Sequence, residues 1–195
     1  MRQEAAMFQI GCENRCDESM GFPVRLRPVV RDIAPFVNAG ELHPPRHAFK
    51  VNLDREELRI PYRLYYSPDL LRSRLHDYQG SARLILACLG TRHYDGYVRQ
   101  ECLGVLLESS EAWCTPYLVQ LAGEYVVEIA DDVAAGIVQR DPATLAAFAS
   151  ENTDYLATFA RRVRSYWHCY HRQAYPEQAH YPGAKVLAVL TEAVR

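Results

Sequence analysis

The segment from residue 79 to residue 132 constrains the fold of this chain more than any other part of the sequence. It consists of apolar runs with helical spacing, and only short polar breaks separate one run from the next. Apolar residues that recur every three or four positions form one face of a helix, and that face must pack against another element. The segment therefore predicts helices that pack on their neighbours in the chain.

Helix-start signals extend this pattern to the end of the chain. Ser67 precedes Pro68 and Asp141 precedes Pro142, which is typical of an N-cap followed by proline in the first helical turn. Taken in pairs, the predicted helices would repeat every roughly 35–40 residues, as in helical-repeat proteins. Besides a helix that begins after Ser67, we expect helices over residues 79–89, 95–108, 113–139, 142–150, 154–174 and 184–194.

A β-hairpin is predicted ahead of the helices. Apolar and polar residues alternate from Phe49 to Asp54 and again from Leu58 to Leu64, as they do in strands with one buried face. The polar residues 54–57 lie between the two runs and would form a four-residue connection. Pro61 cannot donate a hydrogen bond to a neighbouring strand, so we expect the second strand at an edge or with a bulge.

The part of the chain before the hairpin is rich in proline and has no long apolar period, so at most a helical turn is expected there, over residues 32–37. The sequence therefore predicts a mainly α fold. A stack of about six or seven antiparallel helices, similar in layout to helical repeats, would follow a β-hairpin and an irregular N-terminal arm. We assign residues 1–66 to the arm and hairpin and residues 67–195 to the helical domain.

One helix start carries a more specific pattern. Asp95 is followed by Val98 and Arg99, and then by Cys102 and Leu103. This order of acid, Val-Arg, small residue and leucine resembles HEAT-like helical repeats, with Cys102 where that family usually has alanine. The resemblance covers about one helix of the chain. In that family the acid and the arginine are packing residues, so the resemblance implies a binding scaffold rather than a catalytic site.

Charge and composition exclude several broad classes of function. The chain of 195 residues has a formal net charge of -2, so it has no overall attraction for nucleic acids or anionic membranes. No window approaches the about eighteen uninterrupted apolar residues of a membrane span. Because no export signal is visible, the six cysteines are expected to be thiols. We expect a cytoplasmic protein of bacterial type, with no cofactor and with neither nucleic acid nor membrane as partner.

The first candidate site is a row of acidic residues on the predicted helix 113–139. Glu124 and Glu128 are one helical turn apart, and paired glutamates can hold a divalent metal or divide the roles of acid and base. His93 and Asp95 would complete such a site if their helix packs alongside. This arrangement gives a metal-dependent hydrolase as the alternative function. The competing interpretation is a solvated acidic face, with Asp95 acting as an N-cap.

A zinc site is a further alternative. Cys12 and Cys16 could supply two ligands, and His168 and His171 could supply two more. The two clusters lie at opposite ends of the sequence, and the two histidines are separated by only two residues. The competing interpretation is an aromatic helix with partly exposed histidines.

The second main candidate is a basic row on the predicted helix 154–174. Arg161, Arg164, His168 and Arg172 lie opposite the apolar stripe of that helix, where they could bind an acidic partner or form a solvated face. No aromatic residues interleave the row, which disfavours nucleic acid. We expect that at least one of the two charged rows faces outward.

The leading functional prediction is a protein–protein interaction module, either an adaptor or an immunity-like neutralising protein. The chain has 13 tyrosines, and tyrosine and arginine are favoured at the centres of interfaces. It contains no glycine-rich phosphate loop, no dinucleotide fingerprint and no motif of a zinc protease or a serine hydrolase. These absences weigh against an enzyme, and no catalytic residue is assigned in the leading prediction.

Overall fold

The computed structural model describes residues 16–38 and 41–194. Within these residues it contains nine α-helices and one antiparallel two-stranded sheet, which confirms the mainly α fold with a hairpin in front. The strands are β1 (Ala48–Leu53) and β2 (Glu56–Pro61), and the helices are α1 (Arg27–Asn38), α2 (Pro68–Asp77), α3 (Gly80–Gly90), α4 (Gly96–Leu107), α5 (Thr115–Ala122), α6 (Val127–Ile137), α7 (Pro142–Glu151), α8 (Thr153–Tyr166) and α9 (Pro182–Ala193).

The hairpin has a shorter turn than the sequence predicts. Val51 lies opposite Leu58, and only Asp54 and Arg55 connect the strands. Both turn residues have positive φ angles, 52° and 66°, as two-residue hairpin turns require. The expected four-residue connection is wrong, because residues 56 and 57 belong to β2. Glycine is absent from this turn, so the sequence carries no clear signal for its type.

The alternation of the hairpin is confirmed up to Ile60, because one face is buried and the other is exposed. Beyond Ile60 it is wrong, because β2 ends at Pro61, which is buried, and Tyr62 is exposed. The buried face contacts α7 from β1 and a 3-10 turn, Glu18–Gly21, from β2. Pro61 forms the last pair of the ladder with Ala48, where its missing amide hydrogen interrupts nothing further along β2. The buried apolar residues of the two strands are Phe49, Val51, Leu53, Leu58 and Ile60.

The N-terminal arm contributes to the core through α1 and the turn before it, and α1 is longer than the expected helical turn. Phe22 is fully buried, and its ring contacts those of Trp113 and Tyr117 at centroid distances of 5.9 and 5.4 Å. Pro28 lies in the first turn of α1, where an amide hydrogen would have no helical partner. Proline is therefore compatible with helix at that position.

The predicted helix 113–139 is divided into α5 and α6, which corrects the sequence interpretation. The two helices are separated by residues 123–126 and pack against each other. Together with α1, this division explains why the described residues hold nine helices rather than the expected six or seven. Glycine at position 123 is the sequence signal for the break, since glycine often follows a helix end.

The last helix closes the fold. α9 packs against α5, α6, α7 and α8, and α3 packs against both α2 and α4. One hydrophobic core extends from Phe22 to Leu190 and includes residues of both predicted segments, 1–66 and 67–195. The hairpin and the helices therefore share a single apolar interior.

Asn152 links the hairpin to the helices. Its side chain accepts a hydrogen bond from the backbone amide of Asn52 and donates to the carbonyl of the same residue, both at 2.7 Å. It also donates to the carbonyl of Phe148. Asn152 is the residue that precedes α8, but its side chain holds β1 and makes no capping hydrogen bond to that helix.

No helix in the described part of the chain is long and apolar enough to span a membrane. The finding agrees with the sequence, where polar residues interrupt each apolar run.

We expect Ile60→Ala to lower the free energy of unfolding by about 2–5 kcal/mol, because Ile60 is fully buried and truncation leaves a cavity. Arg59→Ala, at the adjacent exposed position of β2, is the control and should change stability by less than about 0.5 kcal/mol. Urea unfolding of both variants measures the difference. Equal stability of the two variants would contradict the burial of this face.

Candidate functional site

A buried carboxylate forms the centre of the most unusual polar cluster in the structure. Glu124 is 5% exposed and contacts the guanidinium groups of Arg63, Arg92 and Arg99. Arg63 donates to both carboxylate oxygens, at 3.1 and 2.8 Å, and Arg92 donates to Oε1 at 2.7 Å. Arg99 completes the cluster, with its Nε 3.4 Å from Oε2. We call these four residues the Glu124 cluster.

Arg92 ties the cluster to the end of the hairpin. Its side chain is 1% exposed and donates to the carbonyls of Pro61, Tyr62 and Thr91 as well as to Glu124. Two backbone hydrogen bonds reinforce this connection, since the amide of Leu64 donates to the carbonyl of Arg92 and the carbonyl of Leu64 accepts from Tyr94. The chain that leaves β2 is thus fixed to the loop between α3 and α4.

Arg99 and His93 hold that loop from the other side. Arg99 donates from Nη1 to the carbonyls of His93 and Tyr94. His93 accepts a hydrogen bond at Nδ1 from the amide of Asp95, so its neutral ring carries the proton on Nε2 and donates to the carbonyl of Tyr66. Burial lowers the pKa of His93, and both ring nitrogens are engaged in the fold.

Close packing at the end of α5 places Glu124 in this cluster. Gly123 lies against α8, where a Cβ atom would come within 2.8 Å of the Phe159 ring. Only glycine permits that approach without displacing the ring. In the tight turn after α5 the Glu124 amide donates to the carbonyl of Leu121, while the carboxylate contacts the three arginines.

Burial and charge act in opposite directions on Glu124. Removal from water raises the pKa of its carboxyl, but the charges and hydrogen bonds of Arg92, Arg63 and Arg99 outweigh that effect and hold the pKa below its usual range. Burial also lowers the pKa of Arg92, but the Glu124 carboxylate opposes that shift and a guanidinium is so basic that it remains cationic at neutral pH. The cluster therefore contains three cations and one anion.

A cavity of about 270 Å³ opens beside the cluster. Arg63, Arg92 and Glu124 line its inner side, and Arg162 from α8 lines another part of its wall. Its remaining wall includes three tyrosines, namely Tyr62, Tyr125 and Tyr166. Formal charges at neutral pH sum to two positive charges around this cavity, because three arginines face one glutamate.

A larger cavity of about 630 Å³ shares Tyr62 and Arg63 with the first. Its other lining residues are His43, Pro44, Arg46, His47 and Tyr65, and none of them is acidic. On this side the ring of Tyr65 stacks on that of Tyr94, with 5.7 Å between the ring centroids. Tyr65 also makes an edge contact with the ring of His43. The segment after β2 is thus flanked by two cavities whose linings are basic and aromatic.

The residues considered for a metal-dependent hydrolase are not arranged as a metal site. Glu124 is occupied by three arginines, and Glu128 is exposed on α6, beyond the break in the predicted helix. His93 uses both ring nitrogens within the fold, and Asp95 caps α4 by accepting from the amide of Tyr97 at 2.8 Å. Across residues 16–38 and 41–194, no three His, Cys, Asp or Glu side chains converge as metal ligands would.

The solvated acidic face is likewise wrong for Glu124, because its carboxylate is buried among three arginines. Glu124 looks like an exposed helical residue in the sequence because the predicted helix continued through it. In the sequence, a glycine directly before a glutamate at the end of an apolar run indicates that the helix ends there. It does not reveal which cations surround the carboxylate.

The basic row is exposed, as the outward orientation requires. Arg161, Arg164, His168 and Arg172 all face solvent, the last two in and after a π-helical segment, Trp167–His171, that continues α8. Arg162 belongs to a different face, is half-buried and was not part of the predicted row. For the zinc site considered from the sequence, Cys12 lies outside the described residues. Another of its candidate ligands, His171, has its Nε2 atom 3.1 Å from the carbonyl of Tyr125.

In comparisons with known proteins, the chain matches no protein-family model, no curated protein and no solved structure.

We expect Glu124→Gln to destabilise the fold by about 3–5 kcal/mol at neutral pH, because it leaves two buried arginines without their counter-charge. The folded pKa of Glu124 is lowered, so its contribution is present above the unfolded value of 4.5 and is lost as pH falls through the folded pKa. The stability gap between wild type and variant should therefore narrow below about pH 4.

Urea unfolding at a series of pH values measures this gap. Glu128→Gln is the matched control, because it removes an exposed glutamate from α6 and should change stability by less than about 0.5 kcal/mol. A gap that is the same at pH 7 and at low pH would show that Glu124 acts by packing and not by charge.

Asp95 should behave as a helix cap. We expect Asp95→Ala to lower stability by about 0.5–2 kcal/mol, because it removes the acceptor for the Tyr97 amide, and Asp95→Asn to cost much less. Thermal and urea unfolding of the two variants test this. Equal losses for Ala and Asn would argue against capping, because asparagine retains the side-chain acceptor.

Proposed function

We propose that the protein is a cytoplasmic protein-interaction module, an adaptor or an immunity-like neutralising protein. Its binding surface is the exposed basic row of α8 and the π-helical segment, and its partner presents an acidic protein surface. The supporting observation is that the row has no counter-charges of its own. Between Tyr155 and Pro176 the chain contains four arginines and no Asp or Glu.

Contacts of the row support this proposal. Arg161 donates to the hydroxyl of Thr158, and Arg172 lies over the ring of Trp167 at 5.9 Å. Arg164 and His168 have no side-chain hydrogen bond or ion pair with any residue that the structure describes. The row therefore keeps its positive charge available at the surface.

Some exposed cations elsewhere in the protein are paired with carboxylates. Lys50 and Arg59 both pair with Glu57, and Arg72 pairs with Glu101. Arg25 and Lys185 are also exposed and have no ion pair with any described residue, but the row on α8 brings several such cations together in one segment of the surface. Unpaired charge of one sign steers an oppositely charged partner into contact and makes the association sensitive to salt.

Exposed tyrosines adjoin the row. Tyr170 is 71% exposed and Tyr125 is 56% exposed, and both rings contact Tyr166. Tyrosine contributes a large, rigid and amphipathic contact area, and together with arginine it is enriched at the energetically important centres of interfaces. The combination favours a protein partner over a purely electrostatic one.

The buried cysteines serve as small packing residues of the core. Cys88 and Cys114 are thiols whose sulfur atoms are 3.9 Å apart in the core, and they remain unlinked. Burial raises the pKa of Cys102 to about 12, so that thiol is unreactive.

Affinity capture tests the proposal with two matched variants. Arg161→Ala/Arg164→Ala removes two exposed cations from the row, and Arg25→Ala/Lys185→Ala removes two from other exposed positions. Immobilised wild type and control should retain the same partner at about 50 mM salt and release it at about 500 mM, whereas the row variant should fail to retain it. Quantitative mass spectrometry of the captured proteins gives the readout, and the enriched protein is then titrated against purified wild type.

Two results would contradict the proposal. One is a retained protein whose capture is indifferent to salt and to the row variant. The other is the absence of any protein enriched by wild type over the row variant at low salt.

A further inference from the structure

The cavity of about 270 Å³ beside the Glu124 cluster is suited to binding an anion. Its arginines are not those of the exposed row. The cavity lies between the end of the hairpin, the connection of α5 to α6, and α8. Arg92 gives it a charged wall that is itself 1% exposed, and the cluster fixes that wall in position through hydrogen bonds to backbone carbonyls. A small anion entering the cavity would meet preorganised positive charge.

Arg162 is the residue that the fold leaves unsatisfied at this cavity. Its side chain is half-buried on α8, yet it makes no hydrogen bond or ion pair with any described residue. A partly buried guanidinium carries five N–H donors and loses hydration on burial, so it gains from an anionic partner. Arg63, by contrast, uses both terminal nitrogens on Glu124.

The charge of the cavity selects among anions. Arg63, Arg92 and Arg162 against Glu124 leave two formal positive charges at its wall, with Arg99 adding a third charge behind the carboxylate. A carboxylate would neutralise only one of them. A phosphate monoester carries about 1.5–2 negative charges at neutral pH and offers three acceptor oxygens to guanidinium groups. The balance therefore favours a phosphoryl group.

The aromatic lining indicates what the phosphate is attached to. Tyr62, Tyr125 and Tyr166 surround the cavity, and Tyr62 also lines the adjoining cavity of about 630 Å³. Planar rings can stack on tyrosine faces, and a body larger than the phosphate has room in that second cavity.

We propose that this cavity binds the phosphate of a small phosphate monoester with an aromatic or heteroaromatic body. Arg162 and the free Nε of Arg63 contact the phosphoryl oxygens, and the tyrosines contact the ring. Glu124 serves as a positioning residue that holds Arg63 and Arg92 at the wall. Arg162 is not part of the basic row, which faces solvent from other positions of α8, although Tyr125 and Tyr166 adjoin both sites.

Isothermal titration calorimetry with three probes tests the ligand class on wild type. The probes are phenyl phosphate, inorganic phosphate and benzoate, which separate the contribution of the phosphoryl group from that of the ring. We expect phenyl phosphate to bind about two- to tenfold more tightly than inorganic phosphate, as one aromatic contact provides, and benzoate to bind most weakly. Benzoate binding as tight as that of phenyl phosphate would overturn the assignment to phosphate.

Substitution of Arg162 tests the location. Arg162→Gln should weaken phenyl phosphate binding about tenfold or more, and Arg162→Lys should have a smaller effect because it keeps the charge but loses the fork of donors. Arg25→Gln, at an exposed arginine outside the cavity, is the control and should bind like wild type. Melting curves of all variants are recorded without probe.

Two further outcomes would overturn the proposal. No saturable binding of phenyl phosphate to wild type overturns it, and so does equal affinity of wild type and Arg162→Gln. If Arg162→Gln does not fold, Arg162→Lys and the shifts of tyrosine ring resonances in the NMR spectrum of wild type decide instead. Resonances of Tyr62, Tyr125 and Tyr166 that stay unchanged on saturation with phenyl phosphate would likewise contradict the site.

Discussion

The ion pair between Glu124 and Arg92 is the contact that joins the separate parts of this fold. Arg92 belongs to the loop between α3 and α4, Glu124 follows α5, and the carbonyls that Arg92 also binds lie where the chain leaves β2. Loops carry backbone groups that must find hydrogen-bond partners when they are buried. Here one guanidinium satisfies several carbonyls at once, so the connections can pack together instead of extending into solvent.

This arrangement costs free energy that a hydrophobic contact would not. Two arginines and one glutamate are almost fully buried, and the desolvation of such groups often exceeds their mutual attraction. The compensation is the number of hydrogen bonds, because both oxygens of Glu124 and most donors of Arg92 have partners. The excess of cations over anions remains uncompensated within the cluster, and it is this excess that gives the neighbouring cavity its positive wall.

α8 shows how one helix can serve three purposes. Phe159 and Val163 face the core, Arg162 and Tyr166 line the cavity, and Arg161 and Arg164 face solvent. Since successive residues of a helix point about 100° apart, neighbouring arginines reach different environments. Arg162 of the phosphate cavity and the arginines of the partner surface therefore point in different directions, although Tyr125 and Tyr166 adjoin both.

The sequence by itself determined the elements whose signal is local. Alternation in the hairpin up to Ile60, the caps at Ser67, Asp95 and Asp141, and the exposure of the row on α8 follow from period and capping chemistry, and the structure confirms them. Tertiary structure decided the break after Ala122, the use of Asn152 to hold β1, and the surroundings of Glu124. Arg63, Arg92 and Glu124 are distant in the chain, and an isolated glutamate is most stable in water. Only the packing of three connections and α4 around it makes its burial favourable, and no local pattern of residues encodes that packing.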